Sequence, residues 1–455
     1  MSGPWKACDI RGLYPSEVNA DLLRRAAYGI GAQLPAGSSV VVAGDFRLST
    51  PELKDAVIAG LSACGARILD AGQVSTPVAY FARREFRADA VLIVTASHNP
   101  PAHNGLKFMV GELPPAEEDI ARLRDWPDHG AQFGKGGSRE PVNAIGPYLE
   151  WILERWRGAF ARRLSVVLDA GNGTWSELAP QVFERLGFEV TPLFCEIDGR
   201  FPNRSPNCAL AENLGALCRK VREAKADLGI AWDGDGDRVA FVDGAGRVVS
   251  ADQTSMLLAR HLVHPGERVV YDIKLSDALR REIASLGGVP VMERSGHTFL
   301  KRRMIREGCA LGCEGSGHFF FRELGGGDDG LFCALTVAGI VAENAPLDVL
   351  VARLPAIHMT DDVRVPPEIL PYHEMADRLG KTFPRAERST LDGLRLATGE
   401  GFVLVRPSVT EPVSTLRIEG LTRAALEHLA RQCLAALPEL SLELQEHFSE
   451  PEVIR

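Results

Sequence analysis

The chain has 455 residues and a formal net charge of −9, with 45% apolar and 24% charged residues. That length exceeds what one core can organise and sets a prior of roughly three to four domains, while the balance is that of a soluble globular protein. The negative charge excludes the basic stripe of a nucleic-acid binder, and an anionic substrate would need cations gathered locally against the global sign. The nine cysteines are scattered without a C-x-x-C pair, which fits neither a zinc site nor a secreted disulfide framework and points to a reducing, cytoplasmic compartment. Met1 to Trp5 lacks a charged-then-apolar signal pattern. The longest apolar run, Leu331 to Ala342, is bounded by Asp329 and Glu343 and is too short to span a bilayer, so no membrane association is expected.

Three stretches share one pattern. Ser39 to Asp45 reads as a strand ending in an acid, followed by a helical stretch, Gly65 and a second strand over Ala66 to Asp70. The order recurs as Ser165 to Asp169, helix, Gly187 and Phe188 to Val190, and again as Arg268 to Asp272, helix, Gly287 and Val289 to Val291. Strand, helix, glycine, strand is the βαβ unit, and three copies predict three parallel-sheet domains. Asp125 to Pro141 reads as a connection, ahead of a helix from Pro147 to Arg157. The last quarter differs, with strands at 363–365, 402–405 and 414–418, and helices at 372–379 and 423–437. Strands with helices on one face predict a smaller α+β domain.

The chemistry-bearing residues sit where strands end. Ala90 to Val94 is a continuous apolar run, the mark of a buried parallel strand. Thr95-Ala96-Ser97-His98-Asn99-Pro100 follows it, at the carboxyl edge where open α/β sheets place ligands. Pro100-Pro101 prevents an immediate helix, so Ser97 is held on a stiff loop as a candidate nucleophile. Asp233-Gly234-Asp235-Gly236-Asp237-Arg238 follows the apolar strand 228–231. Three carboxylates at alternate positions repel unless a hard divalent cation joins them. An EF-hand loop would need Gly at its sixth position and Glu at its twelfth, where Arg238 and Gly244 stand. With only three protein oxygens, Mg²⁺ is preferred over Ca²⁺. Glu314-Gly315-Ser316-Gly317-His318 carries groups suited to vicinal sugar hydroxyls. Arg406-Pro407-Ser408-Val409-Thr410-Glu411-Pro412, between two strands, suits a phosphate oxyanion. Each of these last two stretches is also compatible with an ordinary polar turn.

Taken together, the four motifs resemble the α-D-phosphohexomutase family, in particular its bacterial phosphomannomutase/phosphoglucomutase group, over essentially the whole chain and in the family's order. The resemblance implies three related α/β domains and a smaller C-terminal α+β domain around a central cleft, here at 1–145, 146–249, 250–357 and 358–455. It implies a phosphoserine at Ser97 and Mg²⁺ held by Asp233, Asp235, Asp237 and a phosphate oxygen on Ser97. The reaction would interconvert a hexose 1-phosphate and 6-phosphate (mannose or glucose) through a 1,6-bisphosphate, with the last domain mobile. Arg11, His98, Lys107 and Arg238 match the family's cations around the phosphoserine, Lys107 being the expected general acid/base. Lys274, His297, Glu314, Ser316 and His318 match sugar-contacting positions, and Arg406, Ser408 and Thr410 the loop that grips the unreacting phosphate. The partner is a phosphosugar, and the chain is expected to be a monomer or homodimer.

There are departures from the family pattern. Cys8 stands where Tyr is usual, Gly44 replaces a common Arg, His103 replaces a common aromatic, and Val409 replaces Gly or Asn. Gly315 occupies the variable position of the sugar loop, so epimer preference stays open, and phosphoglucosamine mutase is the alternative within the family. A metal-dependent sugar phosphatase or a non-catalytic sugar-phosphate sensor would share some of these residues. Neither accounts for a separate phosphate-grip loop, which makes sense when a bisphosphate must turn over away from water.

Overall fold

The structure is a computed structural model that describes residues 3–126, 136–408 and 413–440. Its first three sheets repeat one path. In the first, Ser39–Gly44 lies between its parallel neighbours Arg67–Gln73 and Ala90–Val94. His103–Val110 then returns antiparallel beside Ala90–Val94, and Ile10–Leu13 completes that edge. The second sheet places Ser165–Asp169 between Glu189–Leu193 and Leu228–Trp232, with Val239–Asp243 and Val248–Val249 antiparallel beyond. The third does the same with Arg268–Asp272, Val289–Glu293, Leu311–Cys313, Phe319–Phe321 and Gly327–Asp328. All three predicted strand–helix–strand units form, with crossover helices Thr50–Ala63, Leu178–Arg185 and Asp277–Ser285.

This repetition positions the site. In every copy the third parallel strand turns back into an antiparallel fourth, and the turns are residues 95–102, 233–238 and 314–318. The stretches carrying Ser97, Asp233 to Asp237 and Glu314 to His318 are thus one topological loop used three times.

The stretch expected to be a connection contains a sixth strand of the first sheet. Ser138–Pro141 pairs parallel with Arg67–Gln73. Its sequence, Ser-Arg-Glu-Pro, has no apolar alternation because it is an edge strand with neither face buried, the position where Pro is tolerated. Residues 127–135 of that stretch lie outside the described residues. The next helix is Ile145–Arg155. Tyr148 on it donates its hydroxyl to Asp329 at 2.8 Å, and Trp151 stacks on Phe332. The apolar run is the helix Gly330–Glu343, buried at every position before its final Glu. It threads a core shared by the first three units, which explains its all-round apolar character.

The fourth sheet is antiparallel, in the order His358–Met359, Ser414–Gly420, Gly401–Pro407, Leu394–Ala397 and Glu387–Ser389, with Val363–Val365 also pairing Ser414–Gly420. Three of these strands are too short and polar to read from periodicity. Along Gly401–Pro407 side chains alternate: Val403 and Val405 face helices Tyr372–Thr382 and Arg423–Ala436, while Phe402 and Leu404 pack on Ile273 of the third unit. Both faces of the strand are therefore dry, one intradomain and one interdomain.

Candidate active site

Ser97 is fully buried and sits in the left-handed region at φ +50°, a strained position for a residue with a side chain. Its N–H donates to Thr95 Oγ1 at 2.8 Å, and Thr95 donates in turn to Asp45 Oδ2 at 2.7 Å. The Ser97 hydroxyl donates to Asp233 Oδ2 at 2.9 Å and lies 3.3 Å from His98 Nδ1. Burial, with the Arg238 and Arg11 charges close by, pushes the His98 pKa well below its usual value, so the imidazole is neutral.

Asp233, Asp235 and Asp237 do converge, each offering an oxygen within 4.8 Å of the others. Close backbone approach is what the intervening glycines allow: a Cβ on Gly234 would fall 2.7 Å from the Ser97 carbonyl oxygen. Burial and the Asp235 and Asp237 charges push the Asp233 carboxyl up to about 8. Burial also opposes charge on Asp235, yet the Lys107 ammonium and the Thr76 hydroxyl hold it well below the usual carboxylate range. One oxygen each of Asp235 and Asp237 is buried without a hydrogen-bond partner. Orphaned carboxylate oxygens beside two more acids are the donor set a hard divalent cation completes, so the residues fit a metal.

Lys107 lies against the acidic cluster. Its Nζ donates to Asp235 Oδ2 at 2.8 Å and to Asp237 Oδ2 at 2.5 Å. Burial works against the charge, but the two carboxylates outweigh it and push the pKa up. Its ammonium orients both carboxylates through their Oδ2 atoms, leaving the two Oδ1 atoms without hydrogen-bond partners among the described residues.

Arg47 was not foreseen. It is fully buried and pairs with Asp45 through Nε at 3.0 Å. Its Nη1 and Nη2 donate to the carbonyls of Ser97, Asn99, Pro100 and His103 at 2.6–3.2 Å. One guanidinium thus ties down the Ser97 loop. The available signal was an Asp-x-Arg just beyond a buried strand. Arg11 reaches the same loop, with Nη2 on Asp9 at 2.5 Å and Nη1 at 3.5 Å from Asn99.

The sugar loop docks directly on the metal loop. Val239 N donates to the Gly317 carbonyl at 3.1 Å, and Arg238 Nε donates to His318 Nε2 at 2.9 Å. That leaves the His318 proton on Nδ1, 2.8 Å from Asp328 Oδ2, a second partner the sequence did not flag. His297 stacks on His318 at 5.5 Å. Among the described residues His297 Nε2, Glu314 Oε2 and Ser316 Oγ are all buried without hydrogen-bond partners. Lys274 is engaged elsewhere: its Nζ donates to Asp362 Oδ2 at 2.9 Å, in the seam between the third and fourth units. In the last motif Arg406 is buried and bonded to Asp392, and Ser408 closes its turn by donating N–H to Val413 O at 2.8 Å. Thr410 and Val409 lie outside the described residues.

A buried serine beside a triad of carboxylates that could hold a metal ion, with Arg11, Lys107 and Arg238 close by, is an arrangement suited to metal-assisted phosphoryl transfer. Four family models match the chain in order: the α/β/α domains I, II and III of phosphoglucomutase/phosphomannomutase over residues 5–125, 147–246 and 250–357, and its C-terminal domain over 362–436. The chain is 36% identical over 433 residues to a phosphomannomutase/phosphoglucomutase of Pseudomonas aeruginosa, covering 93% of each. It is 35% identical over 449 residues to a phosphoglucomutase of Neisseria gonorrhoeae, covering 95% of this chain and 96% of the relative. A crystal structure of a family protein from Burkholderia thailandensis superposes with a TM-score of 0.85 at 36% identity, covering 96% and 98% of the two chains. The chain belongs to the phosphoglucomutase/phosphomannomutase family, as its four motifs indicated. It is a phosphohexomutase, an isomerase acting on phosphosugars. Among the described residues no helix is long and apolar enough to cross a membrane.

Proposed function

We propose that the enzyme interconverts the 1- and 6-phosphates of glucose and mannose through a phosphorylated Ser97 and a hexose 1,6-bisphosphate. The observation that carries this is the Ser97 hydroxyl at 2.9 Å from Asp233, beside the orphaned oxygens of Asp235 and Asp237. Mg²⁺ would be held by Asp233, Asp235, Asp237 and an oxygen on Ser97, and would supply charge neutralisation for the phosphoryl group in flight.

The chain's own residues do the rest. The Ser97 Oγ–P bond breaks as a bond forms from phosphorus to the sugar hydroxyl oxygen. The hydroxyl proton ends on Ser97 Oγ, with the neutral His98 imidazole as its carrier. Arg11, Arg238 and the Lys107 ammonium neutralise phosphate charge. Glu314, Ser316, His297 and His318 bracket the sugar hydroxyls. Arg406, with Ser408 and Thr410, grips the phosphate that does not react, and Lys274 joins the sugar side when the Asp362 seam opens. After the bisphosphate turns, the reverse step returns the other phosphate to Ser97.

The fourth domain moves relative to the other three, with boundaries near residues 145, 249 and 357. The enzyme works in the cytoplasm as a monomer or homodimer, without nucleic acid. The deciding experiment is a side-by-side assay of glucose, mannose and glucosamine 1-phosphates with Mg²⁺ and trace 1,6-bisphosphate. Comparable turnover of the first two supports the reading; preference for glucosamine phosphate would replace it.

A further inference from the structure

The hairpin turn between Glu387–Ser389 and Leu394–Ala397 carries Asp392, which matches none of the four motifs. A single oxygen of it, Oδ2, accepts from Arg406 Nε at 2.9 Å and from the backbone N–H of Ser295 at 3.1 Å. Arg406 is 4% exposed, yet among the described residues its Nη2 has no hydrogen-bond partner. A buried N–H donor without an acceptor is costly, and such atoms persist where a ligand completes them.

We propose that Asp392 is a positioning residue for the phosphate grip: it holds Arg406 by the inner nitrogen and so reserves the outer edge of the guanidinium for a phosphate. This rests on Arg406 being a phosphate ligand. A guanidinium offers a fork whose value lies in bidentate geometry, which a freely rotating side chain loses. The distance is set by backbone. Gly393 has φ +79°, and a Cβ there would lie 2.3 Å from the Val405 carbonyl oxygen and 2.6 Å from Arg406 Cβ, so the turn rests directly on Arg406. The other bond reaches the third unit. Ser295 stands two residues before His297, and its hydroxyl donates to Asp272 Oδ2 at 3.1 Å. One carboxylate oxygen therefore aligns the grip of the fourth sheet with the turn that presents a sugar-side histidine.

The test compares Asp392→Ala and Asp392→Asn with wild type, using glucose 1-phosphate as substrate and inorganic phosphate as a competing probe. With Ala, KM and the inhibition constant for inorganic phosphate both rise about tenfold, equivalent to the loss of one good polar contact, while kcat changes little. Asn keeps an acceptor for both N–H groups and restores both constants to near wild type. In an Arg406→Lys background the Ala substitution adds nothing, because the held group is gone. If Asp392→Ala fails to fold, Asp392→Ser, too short to reach Arg406 Nε, is to show the same rise. Unchanged KM and phosphate inhibition in folded Asp392→Ala or Asp392→Ser, while Arg406→Ala raises both, overturns the proposal alone. If Arg406→Ala raises neither, the grip reading fails and the proposal with it.

Discussion

Ser97 Oγ and Asp233 Oδ2 lie 2.9 Å apart although 136 residues separate them in sequence. The Ser97 loop and the Asp233 loop are thus in direct contact. Ser97→Ala removes the acceptor of the phosphoryl group while leaving the loop pinned by Arg47. Mutase activity falls below a few per cent of wild type, and intact mass shows no added phosphate. A variant that keeps substantial turnover would take Ser97 out of the chemistry.

Lys107→Met leaves the Asp235 and Asp237 carboxylates buried without their counter-charge, a change that typically costs about 3–5 kcal/mol. The melting temperature drops, and added Mg²⁺ recovers part of the loss because a divalent cation replaces the missing charge. Melting curves with Mg²⁺ and with EDTA separate the outcomes. Equal destabilisation under both conditions would mean that the carboxylates do not hold the metal.

Arg47 holds three carbonyls of the Ser97 loop, the His103 carbonyl at the start of the next strand, and one carboxylate. Arg47→Lys keeps the charge but cannot match a fork spread over five acceptors. With the left-handed Ser97 no longer over-determined, kcat is expected to fall about a hundredfold, in keeping with misplacement of a reacting group, with a smaller effect on KM. A pure KM effect would contradict this assignment.

Glu419 accepts from Ser276 Oγ at 2.8 Å and Asp277 N at 2.9 Å, docking the fourth sheet on the third unit. Burial, despite those bonds, pushes its carboxyl from 4.5 up to about 7. A raised carboxyl pKa contributes stability that is complete below about pH 4.5 and is lost as pH rises through 7, here roughly 3 kcal/mol. Glu419→Gln cannot titrate, so its stability curve between pH 5 and 8 should be flatter than that of wild type. Denaturant melts at several pH values test this, and parallel curves would refute it.

Much of this architecture was legible because each βαβ unit announces itself with a buried apolar strand, a helix and a glycine. The Asp233, Asp235 and Asp237 cluster was legible because its spacing has few other uses. What escaped was whatever depends on partners far apart in sequence. Arg47 looks like a surface arginine until its acceptors, about fifty residues downstream, fold over it. Lys107 was recognised by position, but its contacts were not, since only the folded site shows the Asp235 and Asp237 carboxylates closing on it. Asp328 ends a two-residue strand and Asp392 sits in a hairpin turn before Gly393, neither with a pattern of its own. Ser138–Pro141 was hidden because an edge strand needs no apolar face.

The three active loops hang from three separate sheets at the same place in each. Such a layout divides labour among interchangeable sockets, so one reagent can be replaced while the others stay in register. Residues 314–318 could be exchanged for another family member's loop, provided that the Gly317 carbonyl and His318, which meet Val239 and Arg238, are kept. A catalyst assembled from three copies of one hairpin can diversify one hairpin at a time.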